Sequence, residues 1–129
     1  MSTATAALRP RSYALRVIYK LLAAAEWDEA KTLGRYAGSA VDHQDGFIHL
    51  SGGEQVVETA ARYFAGQSAL VMLTVDPTRL GAGLRWEPSR GGALFPHHYG
   101  PLPLDAVVAE QPVPAGVAVP EAIAALLKR

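Results

Sequence analysis

The sequence contains no cysteine among its 129 residues. This excludes disulfide bonds and any zinc or iron–sulfur site that needs thiolate ligands. Neither sign of charge is in excess, because 12 Lys and Arg balance 12 Asp and Glu. Broad electrostatic binding of DNA needs a basic surface, so we expect no DNA partner. No apolar run approaches the roughly 20 residues that span a bilayer, so we expect no membrane segment.

Several nucleotide-binding and hydrolase signatures are also missing. The chain has no P-loop, no G-x-S-x-G turn and no H-E-x-x-H pair. The glycines at 81 and 83 lack the third glycine and the following helix of a dinucleotide-binding turn. His43, His49, Glu87 and His97 would suit zinc or another transition metal by residue type, but no metal-type spacing connects them. We therefore expect no metal site, and a metal-dependent hydrolase is the less favoured alternative.

The residues that are present fit one globular domain. Half of them are hydrophobic and 19% are charged, which is the composition of a folded chain. Residues 1–16 are small, polar and proline-bearing, so we expect a disordered leader before a single domain at residues 17–129. The absence of acidic residues before Glu26 would also suit a transit peptide, but we expect a cytoplasmic protein.

The hydrophobic pattern predicts alternating strands and helices, followed by a run of strands. The predicted strands cover 17–22, 46–51, 69–75, 84–87, 104–109 and 113–117, and the predicted helices cover 23–33, 54–65 and 120–127. Residues 35–45 are predicted to form a loop or irregular hairpin, and residues 88–103 a loop. Gly34 is placed to end the first helix, and Pro120 to begin the last. This order favours an α+β domain with a mostly antiparallel sheet.

The strand around His49 carries the first candidate site. Phe47, His49 and Ser51 alternate with Ile48 and Leu50 along it. Successive side chains on a strand point to opposite faces. If Ile48 and Leu50 face the core, His49 faces a more open side.

The residues after His49 predict a helix start beside it. Ser51-Gly52-Gly53-Glu54 matches a capping box, and a capped helix N-terminus attracts anions. His49 would then hydrogen-bond a ribose hydroxyl, a phosphate or an amide. Its alternative role is that of a satisfied histidine between strands. Ser51 and Gln55 are candidate ligand-binding residues, with capping and a solvated position as their respective alternatives.

Glu87 is the second candidate, because packing explains a carboxylate at the end of a short strand poorly. It would act as a general base, accept hydrogen bonds from a ribose or stabilise a developing cation. The alternative is an exposed glutamate paired with Arg85 or Arg90.

The third feature is the proline- and glycine-rich segment at residues 94–103. His97 and Tyr99 within it are candidate ligand-binding residues. Adjacent histidines diverge in an extended backbone, so His97 and His98 are not expected to share one metal. The alternative is a loop in which apolar residues such as Phe95 seal the end of the core.

Taken together, these residues resemble a family named domain of unknown function 952. The resemblance covers residues 17–114. Its segments are Ile18-Tyr19-Lys20, Trp27, Gly46-Phe47-Ile48-His49-Leu50-Ser51 with Gln55, Leu73-Thr74-Val75-Asp76 with Leu80, Leu84-Arg85-Trp86-Glu87, and Leu94-Phe95-Pro96-His97-His98-Tyr99-Gly100-Pro101-Leu102.

The resemblance implies a fold related to ADP-ribosyltransferases, with a split, curved, mostly antiparallel sheet and flanking helices. Many of those enzymes use a His, a Tyr and a Glu to bind NAD and break its nicotinamide–ribose bond. Carried over by position, His49 and Glu87 would be catalytic, and His97 would point inward. The Tyr has no matching counterpart, since Tyr63 falls on a predicted helix and Tyr99 follows the Glu.

The resemblance therefore implies an ADP-ribosyltransferase-like enzyme with NAD or a related nucleotide as substrate and no certain cofactor. Fold kinship is an analogy and does not settle the chemistry. A non-catalytic domain that binds a small anionic or nucleotide ligand is the main alternative. A purely structural or interaction role is the other.

Overall fold

The two longest apolar strands, β1 (Ile18–Ala23) and β5 (Leu70–Val75), form the centre of the fold. They are antiparallel and pair along their whole length in this computed structural model, which describes residues 16–128. β4 (Ser51–Gly52) extends the sheet beside β1, and β9 (Val107–Pro112) extends it beside β5. The leucine and β-branched side chains of β5 suit this position because both of its faces are covered.

A second sheet carries the candidate residues. It consists of β3 (Ile48–His49), β7 (Leu94–His98) and β6 (Leu84–Pro88), in the order β3-β7-β6. A short pair joins β2 (Arg35–Tyr36) to β8 (Leu102–Pro103). Every strand pair between residues 16 and 128 is antiparallel. The predicted α+β class with a mostly antiparallel sheet is confirmed.

Four α-helices flank the strands in the described part of the chain. They are α1 (Ala24–Leu33), α2 (Ala40–Asp45), α3 (Val56–Tyr63) and α4 (Val119–Leu127). Gly34 ends α1 with a left-handed φ of 89°, as predicted, since glycine adopts this conformation without steric cost. The proline of α4 lies in its first turn, also as predicted.

The alternating side chains of β1 and β5 divide the interior into two cores. The first core packs one face of the central sheet against α1 and the inner face of the second sheet, and it includes Ile18, Leu22, Trp27, Ile48, Leu50, Leu73 and Val75. The second core packs the other face against α3 and α4, and it includes Leu21, Val56, Ala60, Leu70, Met72, Val119, Ile123 and Leu126.

The capping box predicted at residues 51–54 is wrong. Ser51 and Gly52 pair with β1 as strand β4, and α3 begins only at Val56, without a side-chain cap. The backbone N–H of Gly52 is satisfied by Gln55 Oε1 at 2.9 Å. The helix start that was predicted next to His49 is therefore not formed there, because α3 begins at Val56.

Four of the predicted irregular or extended segments also differ from the structure. The predicted loop at 88–103 contains β7 and β8, and the segment at 35–45 contains β2 and α2. The predicted strand at 113–117 is not formed. The strand predicted at 104–109 starts later, because residues 104–106 form a 3-10 turn before β9.

The leader predicted for residues 1–16 lies outside the described residues except for Arg16. Across residues 16–128, none of the helices has the length and hydrophobicity needed to cross a membrane.

Candidate functional site

The register of the second sheet places two candidate side chains, His49 and His97, in one row with Arg85. His49 of β3 lies opposite His97 of β7, and His97 lies opposite Arg85 of β6. The neighbouring row faces the first core, where Ile48 is 2% exposed, whereas the His49 side chain is 34% exposed. The predicted orientation of His49, away from the core, is therefore confirmed. The outer face of this sheet carries the candidate site.

Glu87 lies on the same face, two residues beyond Arg85. Its Oε1 atom accepts hydrogen bonds from His97 Nδ1 and from the Tyr99 hydroxyl, both at 2.8 Å. These two hydrogen bonds hold the pKa of Glu87 below its ordinary value, and the one from His97 has the larger effect. The carboxylate is therefore ionised near neutral pH, and within residues 16–128 both of its hydrogen bonds fall on Oε1.

Tyr99 completes the cluster from the end of β7. Its backbone N–H donates to the Gly83 carbonyl at 2.8 Å, which fixes the residue beside the start of β6. The hydrogen bond from its hydroxyl to Glu87 raises the pKa of Tyr99. The guanidinium of Arg85 lies 5.0 Å from the Tyr99 ring centre, a cation–π distance. The aromatic ring and the cation thus form one edge of the site.

Within residues 16–128, neither of the two arginines considered as partners of Glu87 forms an ion pair with it. Arg85 contributes only its charge to the Glu87 environment. Arg90 lies over the rings of Phe95 and Tyr63, at 4.7 and 5.6 Å from their centres. The partners of Glu87 are a histidine and a tyrosine.

His97 is the buried member of the cluster, with 4% exposure. Its ring stacks on Phe47, with centres 4.0 Å apart and planes inclined by 21°. It meets the His49 ring edge-on at 5.7 Å. While Nδ1 contacts Glu87, Nε2 is buried and has no hydrogen-bond partner within residues 16–128.

His49 is bracketed by two carboxylates of α2. Its Nδ1 lies 2.6 Å from Asp42 Oδ1, and its Nε2 lies 2.9 Å from Asp45 Oδ2. An ionised carboxylate can only accept, so a doubly protonated imidazole satisfies both contacts. Asp42 is 2% exposed, whereas Asp45 is 44% exposed. The inner contact therefore fixes the ring, and the outer one lies at the surface.

Lys20 contacts both the backbone of His49 and its partner Asp42. Its ammonium donates to Asp42 at 2.9 and 3.2 Å and to the His49 carbonyl at 2.9 Å. Burial lowers the pKa of Lys20, while the charge of Asp42 opposes that change. Burial alone would raise the pKa of Asp42, but hydrogen bonds from His49 and Lys20 bring it well below its ordinary value. The buried pair therefore links β1, α2 and β3.

Ser51 and Gln55 lie at the edge of this arrangement. Ser51 is 5% exposed, and its hydroxyl is 3.0 Å from that of Thr59 on α3. The amide of Gln55 bridges two backbone groups, because it accepts from Gly52 and donates to the Leu94 carbonyl at 2.7 Å. Ser51 connects the central sheet to α3, and Gln55, just before α3, connects β4 to β7. Their ligand-binding roles stay predictions.

The described residues offer no clustered ligand set for the metal alternative. Among residues 16–128, no three or more His, Asp or Glu side chains are grouped so as to hold a metal ion. Both nitrogens of His49 already face carboxylates.

Two surface grooves lie away from the cluster. One, of about 370 Å³, is lined by residues that include Trp27, Lys31 and Glu110. The other, of about 350 Å³, runs between Tyr19 and Leu126. The candidate site is thus a polar face beside aromatic rings and not one of these grooves.

Sequence reasoning missed four residues of the site. Asp42 and Asp45 lie on the short helix α2, whose start carries the pattern Ser39-x-x-Asp42; the Ser39 N–H donates to Asp42 Oδ2 at 2.9 Å. That spacing is a capping signal. Lys20 was visible as a lone cation within an apolar strand. Phe47 had a signal in the alternation that placed it on the same side of the strand as His49.

Comparisons with known proteins identify relatives but assign no activity. The family model described as "Protein of unknown function (DUF952)" matches residues 21–110. The crystal structure of protein CC0527 from Caulobacter crescentus is 52% identical, with 88% of this chain and 99% of that chain covered and a TM-score of 0.79. The solution NMR structure of CC0527 is 54% identical, with 80% and 90% covered and a TM-score of 0.70. No curated protein matches the chain.

Proposed function

Because this chain belongs to the DUF952 family, whose description names no activity, we propose a function from the site itself: an ADP-ribosyltransferase-like enzyme that binds NAD or a related nucleotide. The Glu87 carboxylate carries this proposal. It is ionised, held by two donors on one oxygen, and 31% exposed on the outer face of the second sheet. A fixed carboxylate stabilises positive charge that develops on a ribose carbon when a glycosidic bond breaks.

His49 would orient the ribose in this reaction. Its Nε2–H now points to Asp45, an exposed carboxylate. Exposed ion pairs contribute little free energy, about 0–1 kcal/mol. A ribose hydroxyl can therefore take the place of Asp45, while buried Asp42 keeps the ring in position.

A non-catalytic binding domain is the second candidate. The pairing of both His49 nitrogens within the protein favours it, because a ligand must first displace Asp45. In such a domain the same residues recognise a nucleotide-like ligand and no bond breaks.

The proposal is tested by thermal shift and by nicotinamide release. Wild type, Glu87→Gln and His49→Ala are titrated with NAD, ADP-ribose and nicotinamide. A ligand at 100 times its Kd stabilises the native state by about 2.7 kcal/mol, which raises the Tm by several degrees. Glu110→Gln is a matched control, because Glu110 pairs with Lys31 at the separate groove.

If the protein is the proposed enzyme, wild type and Glu110→Gln release nicotinamide from NAD. Glu87→Gln would bind NAD but release none, and His49→Ala would lose the thermal shift. A shift without product in any variant indicates the binding domain instead. Full turnover by Glu87→Gln contradicts the proposed enzyme activity. The absence of a thermal shift with all three ligands contradicts it too.

A further inference from the structure

The two ring nitrogens of His97 have opposite surroundings. Nδ1 lies 2.8 Å from Glu87 Oε1, an atom that also accepts from the Tyr99 hydroxyl. Nε2 is enclosed, and none of the described residues offers it a hydrogen bond. Buried polar atoms of native proteins nearly always have a partner, so an unpaired one requires an explanation.

The Glu87 contact determines which nitrogen carries the proton. An ionised carboxylate has no hydrogen to give, so the hydrogen of this bond belongs to Nδ1. In a neutral imidazole the other nitrogen is then a lone-pair acceptor. In the neutral ring, Nε2 of His97 is therefore an acceptor without a donor among the described residues.

The covering groups of His97 are aromatic. Phe47 lies flat on the ring at 4.0 Å, and His49 meets it edge-on. Phe47 follows Gly46, which has a left-handed φ of 88°, and precedes β3, so it lies outside regular structure. A group that moves Phe47 gains access to His97 without breaking a strand pair.

We infer that Glu87 holds His97 as the Nδ1–H tautomer, and that Nε2 accepts a hydrogen bond from an N–H or O–H group of the ligand. The site then selects ligands that present a donor, such as a primary carboxamide or a ribose hydroxyl. Only the choice of probe ligands rests on the proposed function. Glu87 has two tasks in this arrangement, with Oε1 positioning His97 and Oε2 facing the ligand.

Imidazole ¹⁵N NMR tests the tautomer without any ligand. We expect a protonated Nδ1 and a bare Nε2 in wild type and in Tyr99→Phe, which removes the other donor to Glu87. Glu87→Leu removes the acceptor and should move the proton of His97 to Nε2. His98 is the internal control, because its Nδ1 donates to the Gly100 carbonyl at 3.0 Å and should not change.

Either of two tautomer results would overturn the inference. One is an Nε2–H tautomer in wild type. The other is an Nε2 resonance that already shows an accepted hydrogen bond in the free protein, as an enclosed water would cause.

A pair of pyridines tests the ligand role. Nicotinamide carries a carboxamide N–H₂, and 3-acetylpyridine has a methyl group in its place. We expect nicotinamide to shift the Nε2 resonance and to bind about tenfold to a hundredfold more tightly, as expected when a buried acceptor is left unpaired. ADP-ribose is the third probe, because its donors are hydroxyl groups and an exocyclic amine and it lacks the carboxamide.

The outcomes separate this inference from the proposed function. If ADP-ribose or nicotinamide stabilises the protein but no probe moves the Nε2 resonance, the nucleotide site stands and the inference is wrong. Equal affinity for the two pyridines also contradicts it when nicotinamide moves the Nε2 resonance. A shift with ADP-ribose alone assigns the donor to a hydroxyl or amine and supports the inference.

Discussion

At the scale of single residues, Asp42 connects the site to the interior. Its two carboxylate oxygens accept from Lys20 Nζ, His49 Nδ1 and the backbone N–H groups of Ser39 and His49. The side chain is 2% exposed. Because every accepted hydrogen bond favours the ionised form, Asp42 stays charged despite its burial.

We predict that Asp42→Asn lowers the free energy of unfolding by about 3–5 kcal/mol, since it leaves the buried Lys20 ammonium without its counter-charge. Asp45→Asn is the matched control, because it breaks only the exposed contact to His49 and should change stability by no more than about 1 kcal/mol. Urea unfolding measures both. Equal losses in the two variants would contradict the role given to Asp42.

Acid unfolding gives a second readout of the same prediction. The pKa of Asp42 is lower in the folded state than in the unfolded state. Its contribution is therefore fully present above an ordinary Asp pKa of about 4 and is lost as the pH falls through the folded value. Wild type should lose more stability than Asp42→Asn between neutral pH and acid.

At the scale of elements, the end of β7 is tied to the start of β6 at Gly83. A Cβ at this position would lie 2.7 Å from the Tyr99 carbonyl oxygen and 2.9 Å from His98 Nε2. Only glycine permits this approach. The closeness of the two strands is what brings the Tyr99 hydroxyl to Glu87.

We predict that Gly83→Ala destabilises the domain by about 1–3 kcal/mol through overpacking and moves Tyr99 away from Glu87. The pKa of Glu87 should then rise toward its ordinary value, which a ¹³C carboxyl titration by NMR measures. Gly81→Ala is the control in the same 3-10 turn. Gly81 has a φ of +67° and open space around it, so alanine adds strain of about 1–2 kcal/mol but leaves the Glu87 pKa unchanged.

The elements that sequence predicted well have a clear period or a clear end. β1, β5 and α1 are apolar or alanine-rich segments, and Gly34 ends α1. β7 was missed because Pro96 lies inside it and proline normally argues against a strand. Here the Pro96 carbonyl accepts a hydrogen bond from the N–H of Leu50, which lies just past the end of β3. The N–H that proline lacks is therefore on a side where the β3–β7 pairing has already ended.

The site could be predicted only in part for a similar reason. His49, Glu87, His97 and Tyr99 do come together on one face. Alternation along the strand predicted the orientation of His49, but the contacts among the four residues were not predicted. The network around Asp42 was missed because α2 has only six residues, and its signal in the sequence was the Ser39-x-x-Asp42 capping spacing. The capping box predicted at Ser51 is not formed, because the backbone of Ser51 pairs with β1 as part of a strand.

At the scale of the whole molecule, the central sheet separates two cores with different tasks. Leu84 and Trp86, on the inner face of the second sheet, pack against the first core. The second core contains no residue of that sheet. The geometry of the site should therefore depend on the first core and not on the second.

We predict that Ile123→Ala, in the second core, destabilises the domain by about 2–5 kcal/mol. The imidazole tautomer of His97 and the pKa of Glu87 should remain as in wild type. Leu73→Ala is the matched substitution in the first core, equally buried, and should cost a similar free energy while disturbing the site signals. An altered Glu87 pKa in Ile123→Ala would show that the two cores are coupled.

The edges of the central sheet have a consequence for how copies of the protein meet. A strand from another chain can add only to a continuous run of unpaired backbone groups. β4 is two residues long, and β9 is bulged where its pairing shifts between Thr74 and Val75 and ends at Pro112, which has no N–H. Neither edge of this sheet offers a long template, so the central sheet is guarded against edge-to-edge aggregation at high concentration.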